Sequence, residues 1–264
     1  MDIIVCMKQV PDTEAQIRVS PDGRGIVESD IKFVMNPYDE YAVEEALKLK
    51  EKYGGSVTLI CLGPQRAVES IRTGLAMGAD KAIHLDDPAF EGGDAISTAK
   101  ALAAAIKGLP YDIIFCGKQA IDDDLSMVGS TLAEILGLPQ AVVVVKVELS
   151  DDKKHAKVNR QIIGGEEVIQ VPLPALLTAQ KGLNEPRYAS LPGIMKAKKK
   201  EIKVMKAADL GLGAEITGAA GARTRIVKLF SPPQRQSGKI IAGETPEEKA
   251  PQLAKLLREE AKII

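Results

Sequence analysis

The chain has 264 residues, 45% of them hydrophobic and 27% charged, which supplies enough apolar surface for a sizeable core. Its 35 Lys and Arg against 36 Asp and Glu leave a net charge of −1, which excludes a general electrostatic pull toward nucleic acid or acidic membranes. Aromatic residues make up 3%, Trp is absent and only His84 and His155 occur, so stacking platforms for single-stranded nucleic acid, a His-rich metal site and a Ser-His-Asp triad are all disfavoured.

The opening MDIIVCMKQV has neither a basic n-region nor a small-residue cleavage site, and reads as a first strand. No apolar run reaches the roughly 18 residues of a membrane-spanning helix. Cys6, Cys61 and Cys116 are odd in number and more than 50 residues apart, as suits reduced thiols in a cytoplasm or a mitochondrial matrix. Each of them closes a β-branched run: DIIVCMK from residue 2, SVTLICLG from 56 and YDIIFCGK from 111. Continuous apolar runs of this kind are how strands of a parallel sheet read when both faces are covered.

Between the first two runs, YDEYAVEEALKLKEKYGG from residue 38 sets Tyr41, Ala42, Glu45, Ala46 and Leu49 at helical spacing, and Gly54-Gly55 stops it. RAVESIRTGLAMGAD from 66 is a second helix and KAIHLDD from 81 a strand. The Ala-rich GDAISTAKALAAAIKGLP from 93 is a third helix, DLSMVGSTLAEILGLPQ from 124 a fourth, and AVVVVKVEL from 141 a strand. This alternation predicts an α/β fold, an open, doubly wound, mostly parallel and Rossmann-like sheet over residues 1–150, completed by strands up to about 180. From 147 to 180, Asp-Asp and Gly-Gly turns between short alternating segments predict a hairpin. Residues 183–204 read as a Pro-interrupted loop and a short basic helix, 210–241 as a Gly- and Pro-rich arm, and 245–264 as a terminal helix. Residues 181–264 thus read as a loop, an extended arm and a closing helix.

The three cysteines occupy matching places near strand carboxyl ends, the edge where open α/β sheets bind ligands. They mark a crevice and act as small hydrophobes rather than as metal ligands. Neither G-x-G-x-x-G after the first strand nor G-x-x-x-x-G-K-[ST] occurs. CGKQAIDDDLSMVGS from 116 instead follows a buried strand and opens a helix, with Gly117 for a tight exit, Asp122 to Asp124 as caps and Ser126 in the first turn. Two readings stand there: an acidic, capped helix start, or an anion site whose carboxylates point away. Asn36, before Pro37, suits a helix cap or a partner for a base or ribose. His84 and His155 read as structural or exposed, Arg160 as a hairpin residue able to pair across an interface, and KAKKK from 196 as a solvated face or a contact for an acidic partner. Leu191, beside Pro192 in a polar loop, has the character of an apolar anchor for a partner's pocket.

NPYDEYAVEEALKLKE, ESIRTGLAMGADKAIHL, GKQAIDDD and above all LNEPRYASLPGIMKAKKKEI resemble the electron transfer flavoprotein β-subunit family, and the resemblance extends to the terminal LAKLLRE. It implies a heterodimer with an α subunit that holds most of a redox-active FAD, and a structural AMP in this chain. Implied nucleotide contacts are Cys6, Asn36, Leu59, Leu62, Gly117, Lys118, Gln119, Ala120, Ile121, Asp122, Asp123, Asp124, Leu125, Ser126, Met127 and Val128. Implied docking residues are Tyr188, Leu191, Pro192, Ile194, Met195 and Lys196, the loop by which family members anchor on partner dehydrogenases. Electrons are then expected to pass from acyl-CoA dehydrogenases through the FAD to a membrane quinone oxidoreductase, the chain being a carrier subunit and no enzyme, as in fatty acid β-oxidation. The cofactor supplies the redox chemistry. Direct membrane insertion and nucleic-acid binding are not expected, and the location is cytoplasmic, or the mitochondrial matrix in a eukaryote.

Some relatives carry an aromatic residue near Thr13 and an acidic one after the arginine at Arg160, where this chain has Gln161. Electron-bifurcating members, with NADH oxidation and a second FAD in the AMP position, show D-G-D-T-A-Q-V-G in the nucleotide loop. Here Asp123, Leu125 and Met127 replace its Gly, Thr and Gln, while Val128 and Gly129 agree, which favours AMP. The alternatives are a bifurcating subunit with that second FAD, and a stand-alone nucleotide-binding module.

Overall fold

The computed structural model of the chain describes residues 1–233 and 237–264. In chain order the elements of the first part are β1 (Asp2–Met7), β2 (Gln9–Pro11), β3 (Phe33–Met35), α1 (Pro37–Tyr53), β4 (Ser56–Leu62), α2 (Val68–Met77), β5 (Lys81–Leu85), α3 (Ala95–Ile106), β6 (Ile113–Gly117), α4 (Val128–Leu136) and β7 (Gln140–Leu149). The second part adds β8 (His155–Ile162), β9 (Gly165–Pro172), β10 (Ala175–Ala179), α5 (Leu191–Lys199), β11 (Ile202–Met205), the single turn α6 (Gly218–Gly221) and α7 (Pro246–Glu259).

Local chemistry sets the boundaries. Pro37 at the first helical position opens α1, and Gly54 at φ 74° stops it. Gly55, at φ 107°, lies so close to the start of the chain that a Cβ there would stand 1.9 Å from the Met1 carbonyl oxygen, a place only glycine can occupy. Asp94 caps α3 by accepting from the Ile96 and Ser97 N–H groups, while Ser97 returns a bond to the Asp94 N–H, a capping box. The helix expected from residue 124 starts later, at Val128, because Asp124 at φ 51° and Ser126 at φ 54° stand in the left-handed region and cannot belong to a right-handed helix.

Nine strands form one sheet in the order β11-β5-β4-β1-β6-β10-β7-β8-β9. The pairs from β11 to β7 are parallel, and β7, β8 and β9 are antiparallel. The mostly parallel α/β sheet expected from the alternation is therefore present, with the expected hairpin extending one edge. Residue 150 lies in a turn inside this sheet, between β7 and β8, and β10 and β11 belong to it as well. One core lies between the sheet and α1, α2 and α5, built around Leu59, Phe115 and Leu177. The other lies toward α3 and α4, around Ile60, Ile114 and Leu132.

The compact unit runs from Met1 to Lys228, and Leu229–Ile264 forms a second one. Its helix α7, the terminal helix expected from the sequence, is capped by Thr245, which accepts from Glu248 N–H at 3.4 Å. Within the arm expected over 210–241, residues 234–236 lie outside the described residues. Among the described residues no helix is long and apolar enough to cross a membrane.

Candidate functional site

From β1 the chain turns to β4 on one side, and β6 leads by way of α4 toward β7 on the other. Their carboxyl ends therefore flank the switch point at which doubly wound sheets open a ligand crevice. Cys6 and Cys116 stand opposite each other in register there and face the α3/α4 core. Cys61 pairs in register with Met7 and faces the opposite core. Matching positions in three runs thus do not give matching faces, because side chains alternate along a strand and Cys61 is out of step by one residue. Burial pushes the Cys61 thiol up to about 12, and the contact with Cys6 together with burial raises Cys116 well above the usual thiol range. Neither is a thiolate at neutral pH, and no cluster suited to a metal ion occurs among the described residues.

The polypeptide after β6 is held from the start of α1. Asn36, 1% exposed, does not cap its own helix. Its Nδ2 donates to the Gln119 carbonyl at 2.9 Å and its Oδ1 accepts from Ile121 N–H at 3.2 Å. Asp39, equally enclosed, accepts from Lys8 N–H at 2.7 Å and from Gly117 N–H at 2.9 Å, joining the ends of β1 and β6. A Cβ at Gly117 would stand 2.3 Å from Asp39 Oδ1, so glycine is required where strand and helix meet.

Of the three carboxylates expected as caps, Asp123 accepts from the Leu125 N–H at 3.1 Å, and all three also bind side chains. Asp122 and Asp123 receive Lys8 Nζ at 2.8 and 3.1 Å. Burial alone would lower the Lys8 pKa, but the hydrogen bond it donates to Asp122 and the two negative charges outweigh it and raise it. Asp124 accepts from Gln119 Nε2, and Ser126 Oγ donates to Gln119 Oε1 at 3.1 Å. Lys118 lies over the Tyr38 ring, 5.0 Å from its centre.

The start of α4 has donors free for the phosphate group of a nucleotide. Thr131 donates to the Met127 carbonyl at 2.9 Å, and among the described residues no acceptor of the chain stands opposite the N–H groups from Ser126 to Ser130. These unpaired donors sit at the positive end of α4, which no side chain caps. Lys8 offsets two of the carboxylates that would repel a phosphate. Gly129 lets α4 lie against β10: a Cβ there would stand 2.8 Å from Thr178 Cγ2. Leu125 and Met127 are exposed, Leu62 is half-buried at the end of β4, and Cys6 is buried beside Cys116. Leu59 lies deeper, its side chain fully buried beneath Gly74 of α2. Two concavities, of about 360 and 430 Å³, lie away from this edge, against β7–β9 and at the amino ends of β1, β4 and β5.

The residues expected to dock a partner form a second cluster. Tyr188, Leu191, Pro192, Ile194, Met195 and Lys196 are all exposed, Tyr188 at 98% and Leu191 at 75%. Ser190 caps α5 by accepting from Gly193 N–H at 3.1 Å. Behind this face the segment is strapped down. Arg187 pairs with Glu44 at 2.8 Å and with Glu51, and Asn184 donates to Glu45 at 2.9 Å and to the Tyr41 carbonyl at 3.0 Å. Arg72 of α2 donates to the carbonyls of Ala197 and Lys200. A Cβ at Gly193 would stand 2.4 Å from the Ala76 carbonyl oxygen, so α5 lies flush on α2.

Residues 24–210 match the family model described as electron transfer flavoprotein domain. The chain is 44% identical to electron transfer flavoprotein subunit beta of Thermoanaerobacterium thermosaccharolyticum over 248 residues, 94% of each chain. It belongs to the electron transfer flavoprotein family. The mouse electron transfer flavoprotein subunit beta is 43% identical, over 89% of this chain and 90% of its own. The caffeyl-CoA reductase-Etf complex subunit CarD of Acetobacterium woodii is 41% identical over 98% of each.

In this family member the sequence left Asp39, Lys8, Asn184 and Arg187 unassigned. Asp39 reads as an ordinary first-turn acid of α1, and Lys8 as a solvated residue after a strand. Asn184 and Arg187 carried a signal, since NEPR lies between the sheet and a basic helix while α1 offers Glu44, Glu45 and Glu51 on one side. Arg160 is satisfied within its own hairpin, by Glu167 at 3.0 Å and the Val142 carbonyl at 3.3 Å. His84 is fully buried with Nε2 against the Gly63 carbonyl at 2.9 Å, a structural placement.

Proposed function

We propose that this chain is the β subunit of a heterodimeric electron transfer flavoprotein and holds a structural AMP at the switch point between β1 and β6. The row of unpaired N–H groups at the start of α4 carries this reading, because it offers a phosphate donors and a positive helix end beside a loop already fixed by Asn36 and Asp39. The FAD, held mainly by the α subunit, supplies the redox chemistry. What this chain's residues do is bind and position. Lys8 screens the acidic loop, Gln119 orders Ser126 and Asp124, and Leu191 with its exposed neighbours offers a small apolar anchor to acyl-CoA and related dehydrogenases. A small anchor suits a shuttle, since it gives docking without the slow release of a large interface. Onward transfer is to a membrane quinone oxidoreductase, and the working location is the cytoplasm.

The bifurcating alternative places a second FAD where AMP is proposed and draws on NADH. Similarity to a subunit of a caffeyl-CoA reductase-Etf complex speaks for it. Exposed Leu125 and Met127, in place of the smaller or polar residues of the bifurcating pattern, speak against it. Mass spectrometry of the nucleotides released from the purified native heterodimer decides: one AMP and one FAD are expected, and two FAD without AMP would overturn the assignment.

A further inference from the structure

Asp39 is a buried carboxylate whose oxygens form no ion pair among the described residues. Its two oxygens are each spent on a backbone N–H, one from the exit of β1 and one from the exit of β6, the two strands whose divergence makes the crevice. Its own N–H donates to the carbonyl of Asn36 at 2.8 Å, and the Asn36 side chain grips the next part of the loop at Gln119 and Ile121. Carboxylate, asparagine and the glycine that admits them thus form one continuous brace from α1 to the segment leading into α4. We propose that Asp39 is a positioning residue for the nucleotide, a brace whose charge state sets how firmly the loop 117–127 is held; this rests on the AMP reading above.

Only the ionised carboxylate accepts both N–H groups well. The acid keeps one good acceptor, its carbonyl oxygen, while its hydroxyl is a poor acceptor and needs a partner of its own. Protonation therefore slackens one of the two strand exits. Burial raises the Asp39 pKa to about 7, although the hydrogen bonds from Lys8, Asn36 and Gly117 and the Lys8 charge oppose it. Around it stand Lys8 from β1, tied to Asp122 and Asp123, and the Cys61 and Cys116 thiols from β4 and β6, both kept neutral by burial. Lys118 lies over Tyr38, and on its own helix Glu40 has a pKa raised by burial. The sign follows from linkage: if the nucleotide is held better by the ionised brace, acidification through neutrality speeds its release, and bound nucleotide in turn lowers the Asp39 midpoint.

The test follows AMP release from the native heterodimer by rapid gel filtration and mass spectrometry between pH 5.5 and 8.5, for the wild type and for Asp39→Asn. The wild type is expected to release AMP about tenfold faster at the acid end, and Asp39→Asn to release it fast at every pH, since an amide leaves one strand N–H without an acceptor. Titration of the AMP phosphate is common to both proteins and cancels in the comparison. Equal pH profiles in the two proteins would overturn the inference with AMP still bound; a wild type holding no AMP at any pH would instead overturn the nucleotide reading. If Asp39→Asn does not fold, the backbone amide resonances of Lys8 and Gly117 in the wild type decide. They are expected to move together through one titration that AMP shifts to lower pH, and independent or AMP-insensitive behaviour would overturn the inference.

Discussion

At the scale of single residues, exposure and enclosure divide the work. Leu191 is 75% exposed at the start of a helix whose other side is fixed to α2, so nothing within the compact unit requires a leucine there. Leu191→Ala is accordingly expected to leave FAD content and melting temperature unchanged while lowering the rate of electron acceptance from a dehydrogenase at limiting carrier; unaltered kinetics would remove Leu191 from the docking face. Asp94 shows the reverse pattern, with its side chain spent inside the fold. Beyond capping α3 it accepts from the N–H groups of Arg223 at 2.7 Å and Thr224 at 3.0 Å. Partial burial would raise its pKa, but the N–H groups of Ser97, Arg223 and Thr224 prevail and bring it down to about 2. A depressed carboxylate contributes stability that is present above its ordinary value near 4 and is lost as the pH falls toward 2. Asp94→Ala is expected to cost about 1–2 kcal/mol at neutral pH, and its difference from the wild type in urea unfolding should shrink below pH 4. The helix was legible in GDAIS; the bonds from Arg223 and Thr224, more than a hundred residues away, were not.

At the scale of elements, α1 and the loop before α4 explain why the crevice was only half readable. The strand, the Gly117 exit and the following helix could be seen in the chain order, because each depends on near neighbours. Asp122 to Asp124 look like caps in any local reading; Asp123 does accept from the Leu125 N–H, but the arrival of Lys8 from the exit of β1 at Asp122 and Asp123 could not be seen. The left-handed residues Asp124 and Ser126 were equally hidden, since neither is glycine. They give the loop a sharper test than its composition does. Proline holds φ near −65° and cannot take the conformation of Ser126, so Ser126→Pro must rebuild the approach to α4. AMP content after gel filtration should fall well below one per heterodimer, while the far-ultraviolet circular dichroism stays that of the wild type; full retention would count against phosphate binding at this helix. The docking segment was more legible, because NEPRY and the basic run that follows are contiguous in sequence. Its fastening through Arg187 to Glu44 and Glu51 links it to the same helix whose first turn holds the exit of β6.

At the scale of the molecule, continuous apolar runs revealed the parallel strands and their alternation with helices, since both follow from burial on two faces. The order of the strands did not follow. β11 joins the edge beside β5, and β10 enters between β6 and β7, pairings that no local spacing encodes. This last insertion has a consequence for how the protein is made. During synthesis β6 and β7 emerge first, with the gap between them unfilled until Ala175–Ala179 has left the ribosome. Until then β6 and β7 each present an unpaired edge, the condition under which nascent chains are held by chaperones or stick to one another. Five buried residues, about two-thirds of the way along the chain, thus set the moment at which this subunit becomes safe to release.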